Sequence, residues 1–190
     1  MLLEVRNLKK YFGSVVASDN INFKMNSNEI IGVIGANGAG KTTFCNIITG
    51  YMKSDSGEII FRDKDISKMN VNKVKSLGIQ RSFQVAQIFN GLTVLENISI
   101  ALSASKKNKY NFFDKLLDDN TIVHAKTILE KFSIDDSCNL KVSVLPQGIR
   151  KVLDIIIAIV GEPSLILLDE PTSGVSAQEK YLIMDKVISA

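Results

Sequence analysis

The alternation of apolar and polar residues predicts several short strands in the first half of the chain. Residues 21–25 alternate with a period of two, which is typical of a strand with one buried face. Residues 29–34 form a short, nearly continuous apolar run rich in β-branched side chains, a pattern that favours a strand covered on both faces. Further strands are predicted at residues 2–5, 57–61 and 78–83.

A helical pattern dominates the middle of the chain. From about residue 94 to 143, apolar residues recur at spacings of three and four, the period of an amphipathic helix. These positions are Leu95, Ile98, Leu102, Ile122, Ala125, Leu129 and Phe132. Other helices are predicted at residues 42–48 and at about 148–160, and a last strand at 164–169. Strands that alternate with helices predict an α/β fold with a mainly parallel core sheet.

Composition excludes several classes of protein. The 190 residues are 45% hydrophobic and 23% charged, which are globular values that argue against a disordered chain. The net charge of +3 is too small to indicate a nucleic-acid partner. Two cysteines, Cys45 and Cys138, cannot form a disulfide framework, which favours a reducing cytosolic compartment. The longest apolar stretch, residues 152–160, is shorter than the roughly 20 residues that a membrane span needs.

The strongest chemical signal is a glycine-rich loop at residues 35–42. It reads Gly-Ala-Asn-Gly-Ala-Gly-Lys-Thr and matches the phosphate-binding pattern G-x-x-x-x-G-K-[ST] (Walker A) between a predicted strand and a predicted helix. Glycines allow positive φ and bring backbone N–H groups against phosphate oxygens, and the helix N-terminus adds partial positive charge. The residues expected to bind the nucleotide here are Gly35, Asn37, Gly38, Ala39, Gly40, Lys41, Thr42 and Thr43.

Individual roles follow from the chemistry of these side chains. Lys41 should reach the β- and γ-phosphates, the Thr42 hydroxyl should bind Mg²⁺, and Thr43 should contact the α-phosphate. The motif alone does not choose among kinases, GTPases, ATPases and motor proteins. ATP and Mg²⁺ therefore enter as cofactors only with the motifs that follow.

Two carboxylates end the last predicted strand. Asp169, at the C-terminal end of the apolar run of residues 165–168, can hold Mg²⁺ directly or through water. Glu170 comes one residue later, where it can orient an attacking water or accept its proton. The pair predicts the hydrolytic half of a nucleotide site.

These residues carry a family resemblance. Residues 167–174 read Leu-Leu-Asp-Glu-Pro-Thr-Ser-Gly, and together with the phosphate loop they make the chain resemble the ATP-binding subunit of an ABC transporter. The resemblance implies an α/β P-loop NTPase fold of the ABC cassette type, in which an antiparallel β part and a helical subdomain join the parallel sheet. It also implies one nucleotide-binding domain over residues 1–190, with its core at about 1–93 and 144–190 and its helical subdomain at about 94–143.

The same resemblance gives roles to two other residues. Phe12 lies where the family has an aromatic residue that stacks on adenine, and the neighbouring Tyr11 is a less favoured substitute. Gln84 matches the glutamine that binds Mg²⁺, takes part in catalysis and responds to the transmembrane partner. From chemistry alone, Gln84 is only a neutral oxygen donor at the end of a strand, so its role rests on the resemblance.

The signature segment departs from the family pattern. Residues 144–150 stand where the family has Leu-Ser-Gly-Gly-Gln, and only Leu145 and Gly148 match. Pro146 has neither a hydroxyl nor an N–H to offer a phosphate, and Ile149 replaces a polar residue. The segment resembles a variant found in ATPases of branched-chain amino acid importers. We expect Leu145, Gly148 and the following helix N-terminus to close over ATP bound to a second subunit, with a weakened polar contact.

The C-terminal part departs further. Ser176 opens the run Ser-Ala-Gln-Glu, whose main expected role is a capping box, whereas many relatives have an aspartate near this point that contacts the dimer partner. Relatives also carry a switch histidine beyond the next helix, but the only histidine here is His124, to which we assign no role. The sequence stops at Ala190 within a helical pattern. We therefore expect a C-terminally short cassette that binds Mg-ATP better than it hydrolyses it.

The resemblance implies an ATPase that powers uptake of amino acids of the branched-chain type. Its expected partners are transmembrane permease subunits, a second ATP-binding subunit and, indirectly, an extracytoplasmic solute-binding protein, with no nucleic acid. Its expected location is cytoplasmic, on the inner face of the cell membrane. The alternative is a soluble ABC-type ATPase acting on the ribosome or DNA, for which the basic run of residues 106–109 is a weak indication. A small P-loop kinase is disfavoured because it needs neither the signature nor the 167–174 run.

Overall fold

The computed structural model describes residues 1–82, 88–105, 118–176, 180–181, 183–185 and 188. The chain divides into two compact units, Met1–Ile79 and Gln80–Ala190. We call them unit 1 and unit 2 and describe each by itself. The domain boundaries derived from the family resemblance stay a prediction.

Unit 1 is built on a four-stranded antiparallel sheet. Its strands are β1 (Leu3–Phe12), β2 (Val15–Met25), β3 (Ser56–Phe61) and β4 (Lys64–Asp65), and they lie in the order β2-β1-β3-β4. Strands β1 and β2 are longer than predicted, because cross-strand pairing continues to the hairpin, where Phe12 is opposite Val15. The sheet therefore extends well beyond the apolar positions that indicated it.

Two helices complete unit 1. The predicted helix at residues 42–48 is confirmed as α1 (Lys41–Ile48), and α2 spans Val71–Ser76. On α1, Phe44 is buried and meets Phe23 of β2 edge-on, with ring centroids 5.9 Å apart. This contact fixes the helix that follows the phosphate loop against the sheet.

The strand predicted at residues 29–34 is wrong. This segment has no regular secondary structure, and its apolar side chains are exposed, up to 96% for Ile34. A strand needs a neighbouring strand to satisfy its backbone hydrogen bonds, and residues 29–34 pair with none of β1 to β4. An apolar β-branched composition does not form a strand by itself.

Unit 2 contains the helical part of the chain. Strand β5 (Ile79–Ser82), whose first residue is the last of unit 1, pairs with β6 (Leu165–Leu168) in a two-stranded sheet. The helices are α3 (Val94–Ser105), α4 (Asp119–Lys131) and α5 (Gln147–Ile159), with 3₁₀ turns at Asp135–Ser137 and Val142–Val144. The predicted helix at about 148–160 and the predicted strand at 164–169 are thus confirmed.

One hydrophobic cluster joins the helices of unit 2. The apolar positions predicted by spacing contribute to it, since Ile98, Leu102, Ala125, Leu129 and Phe132 are all buried. Such spacing places side chains on one helical face, which explains why they meet in the core. No helix within the described ranges has the length and hydropathy of a membrane span.

A capping box begins α3. The Thr93 N–H donates to Glu96 Oε2 at 2.7 Å, and the Glu96 N–H donates to Thr93 Oγ1 at 3.2 Å. The Thr93 hydroxyl also donates to Glu96 Oε2 at 2.9 Å, and the bonds from the Thr93 N–H and hydroxyl hold the pKa of the Glu96 carboxyl below its usual range. The T-x-x-E spacing at residues 93–96 is a local signal in the sequence from which this cap was predictable.

Candidate nucleotide-binding site

The phosphate loop of unit 1 is exposed, and the Lys41 side chain folds back onto the backbone of this loop. Residues 35–39 are exposed, and α1 starts immediately after Gly40. The Lys41 ammonium group donates to the carbonyl oxygens of Gly35, at 2.7 Å, and of Ala36, at 2.9 Å. The cation therefore lies against the loop that should surround the phosphates, where an anion can attract it away from two neutral carbonyls.

Glycine is required at the end of this loop. Gly40 has φ of 87°, and a Cβ there would overlap the backbone carbonyl of Ala17 on β2. Gly38 has φ of 82°, but a Cβ there would meet nothing within 4 Å. The loop thus depends on one glycine for both conformation and close approach, and on another for conformation alone.

The N-terminus of α1 suits an anion. Gly40 provides no side-chain cap, and the first turn contains no acidic residue. Thr42 is exposed and Thr43 is half-buried in this turn. The helix dipole therefore presents its positive end without a carboxylate to neutralise it, which is the arrangement that phosphate groups use.

The β1–β2 hairpin presents the predicted adenine-stacking residue. Phe12 is 47% exposed, and Lys10 Nζ lies 5.5 Å from the centroid of its ring. Asp55 positions this hairpin: its carboxylate accepts from Lys10 Nζ at 2.9 Å and from the Tyr11 N–H at 2.7 Å. The bond from Lys10, followed by the bond from Tyr11, lowers the pKa of Asp55 below its ordinary value.

In unit 2, Asp169 follows β6 and is paired with an arginine that the sequence analysis did not single out. Arg81 Nη2 on β5 lies 2.6 Å from Asp169 Oδ2, and each side chain is only 5% exposed. Because β5 and β6 are hydrogen-bonded neighbours, the topology brings together residues that are 88 positions apart in sequence. The sequence offered no local signal of this pairing.

Glu170 differs from Asp169 in its surroundings. It is exposed, and its backbone has φ of 50°, a left-handed conformation that is uncommon for glutamate. The Ser173 N–H donates to the Glu170 carbonyl at 3.0 Å, which closes a turn with Pro171 in its second position. Asp169 is buried and Glu170 is exposed, so these two adjacent acids can perform different tasks.

The signature segment forms the start of α5. Pro146 is the N-cap of this helix and gives no side-chain cap, while Leu145 and Gly148 are buried. Arg150 fixes the turn by donating to the carbonyls of Leu145, at 3.0 Å, and Ser143, at 2.6 Å. The exposed surface of this turn is formed by Ser143, Val144, Pro146 and Gln147. Contact of Leu145 and Gly148 with a partner's ATP stays a prediction.

The predicted site residues are divided between the two units, and some of them lie outside the described residues. The loop residues and Phe12 belong to unit 1, while Asp169, Glu170, Leu145 and Gly148 belong to unit 2. Gln84 and most of the capping box at 176–179 lie outside the described residues. His124 is exposed on α4.

The predicted metal ligands fit Mg²⁺ by donor type. The hydroxyl of Thr42 and the carboxylate of Asp169 are the hard oxygen donors that this ion prefers. Among the described residues, no cluster of three or more histidine, cysteine, aspartate or glutamate side chains forms an all-protein metal site.

Comparison with known proteins decides the family. Residues 18–173 match the family model described as ABC transporter. The chain belongs to the ABC transporter family. The resemblance drawn from the 167–174 run and the phosphate loop is therefore confirmed, and so is the ABC cassette fold.

Two curated relatives are named as ATP-binding proteins of transport systems. The high-affinity branched-chain amino acid transport ATP-binding protein LivG of Escherichia coli (strain K12) is 32% identical over 186 residues, which are 94% of this chain and 72% of that protein. The xylose/arabinose import ATP-binding protein XylG of Sulfolobus acidocaldarius is 32% identical over 185 residues, which are 97% of this chain and 71% of that protein.

A solved structure agrees with the fold. The crystal structure of the ADP conformation of an ATP-binding cassette of an ABC transporter superposes with a TM-score of 0.84 at 29% identity. The match covers 99% of this chain and 76% of that one. Nearly every residue of this chain thus has a counterpart in an ABC cassette.

Proposed function

We propose that this chain is the ATP-binding and ATP-hydrolysing subunit of an ABC importer, and that its transporter takes up amino acids of the branched-chain type. The observation that carries the proposal is the phosphate loop. Its Lys41 ammonium group is held by the carbonyls of Gly35 and Ala36, next to a helix N-terminus without acidic residues. ATP is the nucleotide because the family uses it.

In this proposal, residues of the phosphate loop and of the β1–β2 hairpin bind different parts of ATP. The backbone N–H groups of residues 35–40 surround the phosphates, and Lys41 exchanges its two neutral carbonyl partners for charged phosphate oxygens. Thr43 contacts the α-phosphate. Phe12 stacks on adenine, with half of its surface already exposed for that contact. The same residues therefore recognise both ends of the nucleotide.

Hydrolysis is an in-line attack of water on the γ-phosphate. Glu170 orients this water and accepts its proton, which suits an exposed carboxylate beyond the end of β6. Lys41 neutralises charge that spreads over the transferred phosphoryl oxygens. Thr42, Gln84 and Asp169 would hold Mg²⁺, which supplies further neutralisation of the phosphate charge when bound.

Transport requires partners of this chain. A second ATP-binding subunit, identical or related, would place its signature residues Leu145 and Gly148 over the nucleotide of this one. Transmembrane permease subunits would receive the motion through the Gln84 region and the helical part, and an extracytoplasmic solute-binding protein would deliver the cargo. The chain would then lie on the inner face of the cell membrane.

The cargo is assigned from relatives and from the signature segment. The LivG relative is named for branched-chain amino acid transport, and the segment at 144–150 resembles a variant of the signature in ATPases of branched-chain amino acid importers. The XylG relative at the same identity is named for xylose and arabinose import. To distinguish amino acid cargo from sugar cargo, the chain is purified with its permease, placed in vesicles and assayed for uptake of labelled leucine or xylose. ATP-dependent leucine uptake is expected. Uptake of xylose alone would contradict the assignment.

The catalytic assignment is tested with Glu170→Gln. This variant should bind ATP as the unmodified chain does. Its turnover should fall by about 10²–10⁴-fold because the general base is lost. If the fall is larger than the assay can follow, turnover should equal the background that is measured with Lys41→Ala. Phosphate release and equilibrium ATP binding are measured on the same preparations. Unchanged turnover would exclude Glu170 from this role.

A further inference from the structure

The ion pair between Arg81 and Asp169 is unusual in its burial. Their charged atoms are 2.6 Å apart, and each side chain is only 5% exposed. In each of the other ion pairs of the described residues, by contrast, at least one of the two side chains is 40% or more exposed. Arg81 and Asp169 have thus both been removed from water.

Stability does not explain this pair. Desolvation of two charges costs about as much as their attraction returns, and apolar residues of similar volume often serve as well. Removing one partner, however, leaves a buried charge without compensation and is costly. A buried pair at the end of β6, on a carboxylate that the function requires, therefore points to a role in the site.

We propose that Arg81 is a positioning residue that holds the Asp169 carboxylate and sets the Mg²⁺ concentration at which the site loads. This inference rests on the proposed function, in which Asp169 serves Mg²⁺. A guanidinium group is permanently charged, so it compensates the carboxylate before any divalent cation arrives. Mg²⁺ must then share Asp169 with a fixed positive charge, which weakens its binding.

The fold supports this role for Arg81. Arg81 is on β5 and Asp169 directly follows β6, and the two strands are hydrogen-bonded neighbours. The guanidinium group therefore approaches from a rigid sheet rather than from a loop. It keeps the Asp169 oxygens in place in the absence of Mg²⁺ and opposes Mg²⁺ at the same time.

Arg81→Gln tests the proposal because it removes the charge and keeps a hydrogen-bond donor. Thermal unfolding of the full chain is followed against free Mg²⁺, with and without saturating ATP. The half-maximal Mg²⁺ concentration should fall by at least about tenfold, because a unit charge acting on a divalent ion over about 6 Å has that effect even at the dielectric constant of water, ~80, and weaker screening around a buried pair increases it. Arg81→Lys, which keeps the charge, is the matched control and should stay close to the unmodified chain.

A second measurement applies if Arg81→Gln does not fold well enough for the Mg²⁺ titration. If Arg81→Gln is unfolded without Mg²⁺, then Mg²⁺ should restore folding and KCl at equal ionic strength should not, because the ion replaces the lost charge beside Asp169. Combining Arg81→Gln with Asp169→Asn should abolish this effect of Mg²⁺. Failure of Mg²⁺ to restore folding, or an equal effect of Mg²⁺ in the double variant, would overturn the proposal.

The role of Arg81 and the proposed function can be refuted separately. If ATP with Mg²⁺ stabilises the unmodified chain but Arg81→Gln shows the same half-maximal Mg²⁺ concentration, the role of Arg81 is wrong and the proposed function stands. If ATP with Mg²⁺ does not stabilise the unmodified chain, the proposed function fails, and the role of Arg81 fails with it.

Discussion

Replacement of Gly40 by alanine tests the geometry of the phosphate loop. Two separate costs are expected at this position. The φ of 87° places an alanine in the left-handed region, which costs about 1–2 kcal/mol. The added Cβ would also overlap the Ala17 carbonyl, so α1 or β2 must shift, and overpacking of this kind costs about 1–3 kcal/mol. The expected loss in the free energy of unfolding is therefore about 2–5 kcal/mol.

Gly38→Ala is the matched control, because it carries the first cost without the second. Gly38 has φ of 82°, and a Cβ there would meet nothing within 4 Å. This variant should lose only about 1–2 kcal/mol. Urea unfolding followed by circular dichroism measures both variants, and thermal midpoints should fall by about 2–4 °C for each kcal/mol. Equal losses for Gly40→Ala and Gly38→Ala would refute the claimed approach of Gly40 to Ala17.

Two further predictions concern other parts of the chain. Thr93→Ala should lower the free energy of unfolding by about 0.5–2 kcal/mol, because the capping box of α3 loses its hydroxyl. Thr93→Ser keeps the hydroxyl and should lose much less stability. Similar losses for both variants would contradict the role of Thr93 as a cap. Asp55 has a lowered pKa in the folded state, so its contribution to stability is present above its unfolded pKa and disappears as the pH falls through its folded pKa. The difference in unfolding free energy between the unmodified chain and Asp55→Asn should therefore shrink as the pH falls through that acidic range. A constant difference from pH 7 to pH 2.5, a range that includes the pKa of an ordinary aspartate, roughly 3.9, would contradict this prediction.

Elements with a local signal in the sequence were predictable. Helix α1, helix α5 and strand β6 were all indicated by apolar spacing and by the motifs beside them, and the structure has them at nearly the predicted bounds. The phosphate loop was equally readable, because its glycines are required by positive φ and by close approach of the backbone. These features depend on residues that are near each other in sequence.

Features that depend on distant residues were missed. The strand predicted at 29–34 failed because strand formation requires a partner, and composition does not reveal one. The pairing of Arg81 with Asp169 was also not found, because it depends on β5 and β6 being neighbours. The left-handed backbone of Glu170, at the start of the turn that the Ser173 N–H closes, was also not indicated, because glutamate rarely adopts positive φ.

Equilibrium binding of ATP tests the central claim that the loop at residues 35–42 is a nucleotide site. The unmodified chain should bind Mg-ATP saturably, and ATP at 100 times its Kd should stabilise the fold by about 2.7 kcal/mol. Lys41→Ala should lose both the binding and the stabilisation, because it removes the ammonium group held at Gly35 and Ala36. Lys126→Ala, an exposed lysine on α4, is the control and should bind ATP like the unmodified chain. Equal ATP binding by Lys41→Ala and the unmodified chain, or no binding by the unmodified chain, would contradict the account.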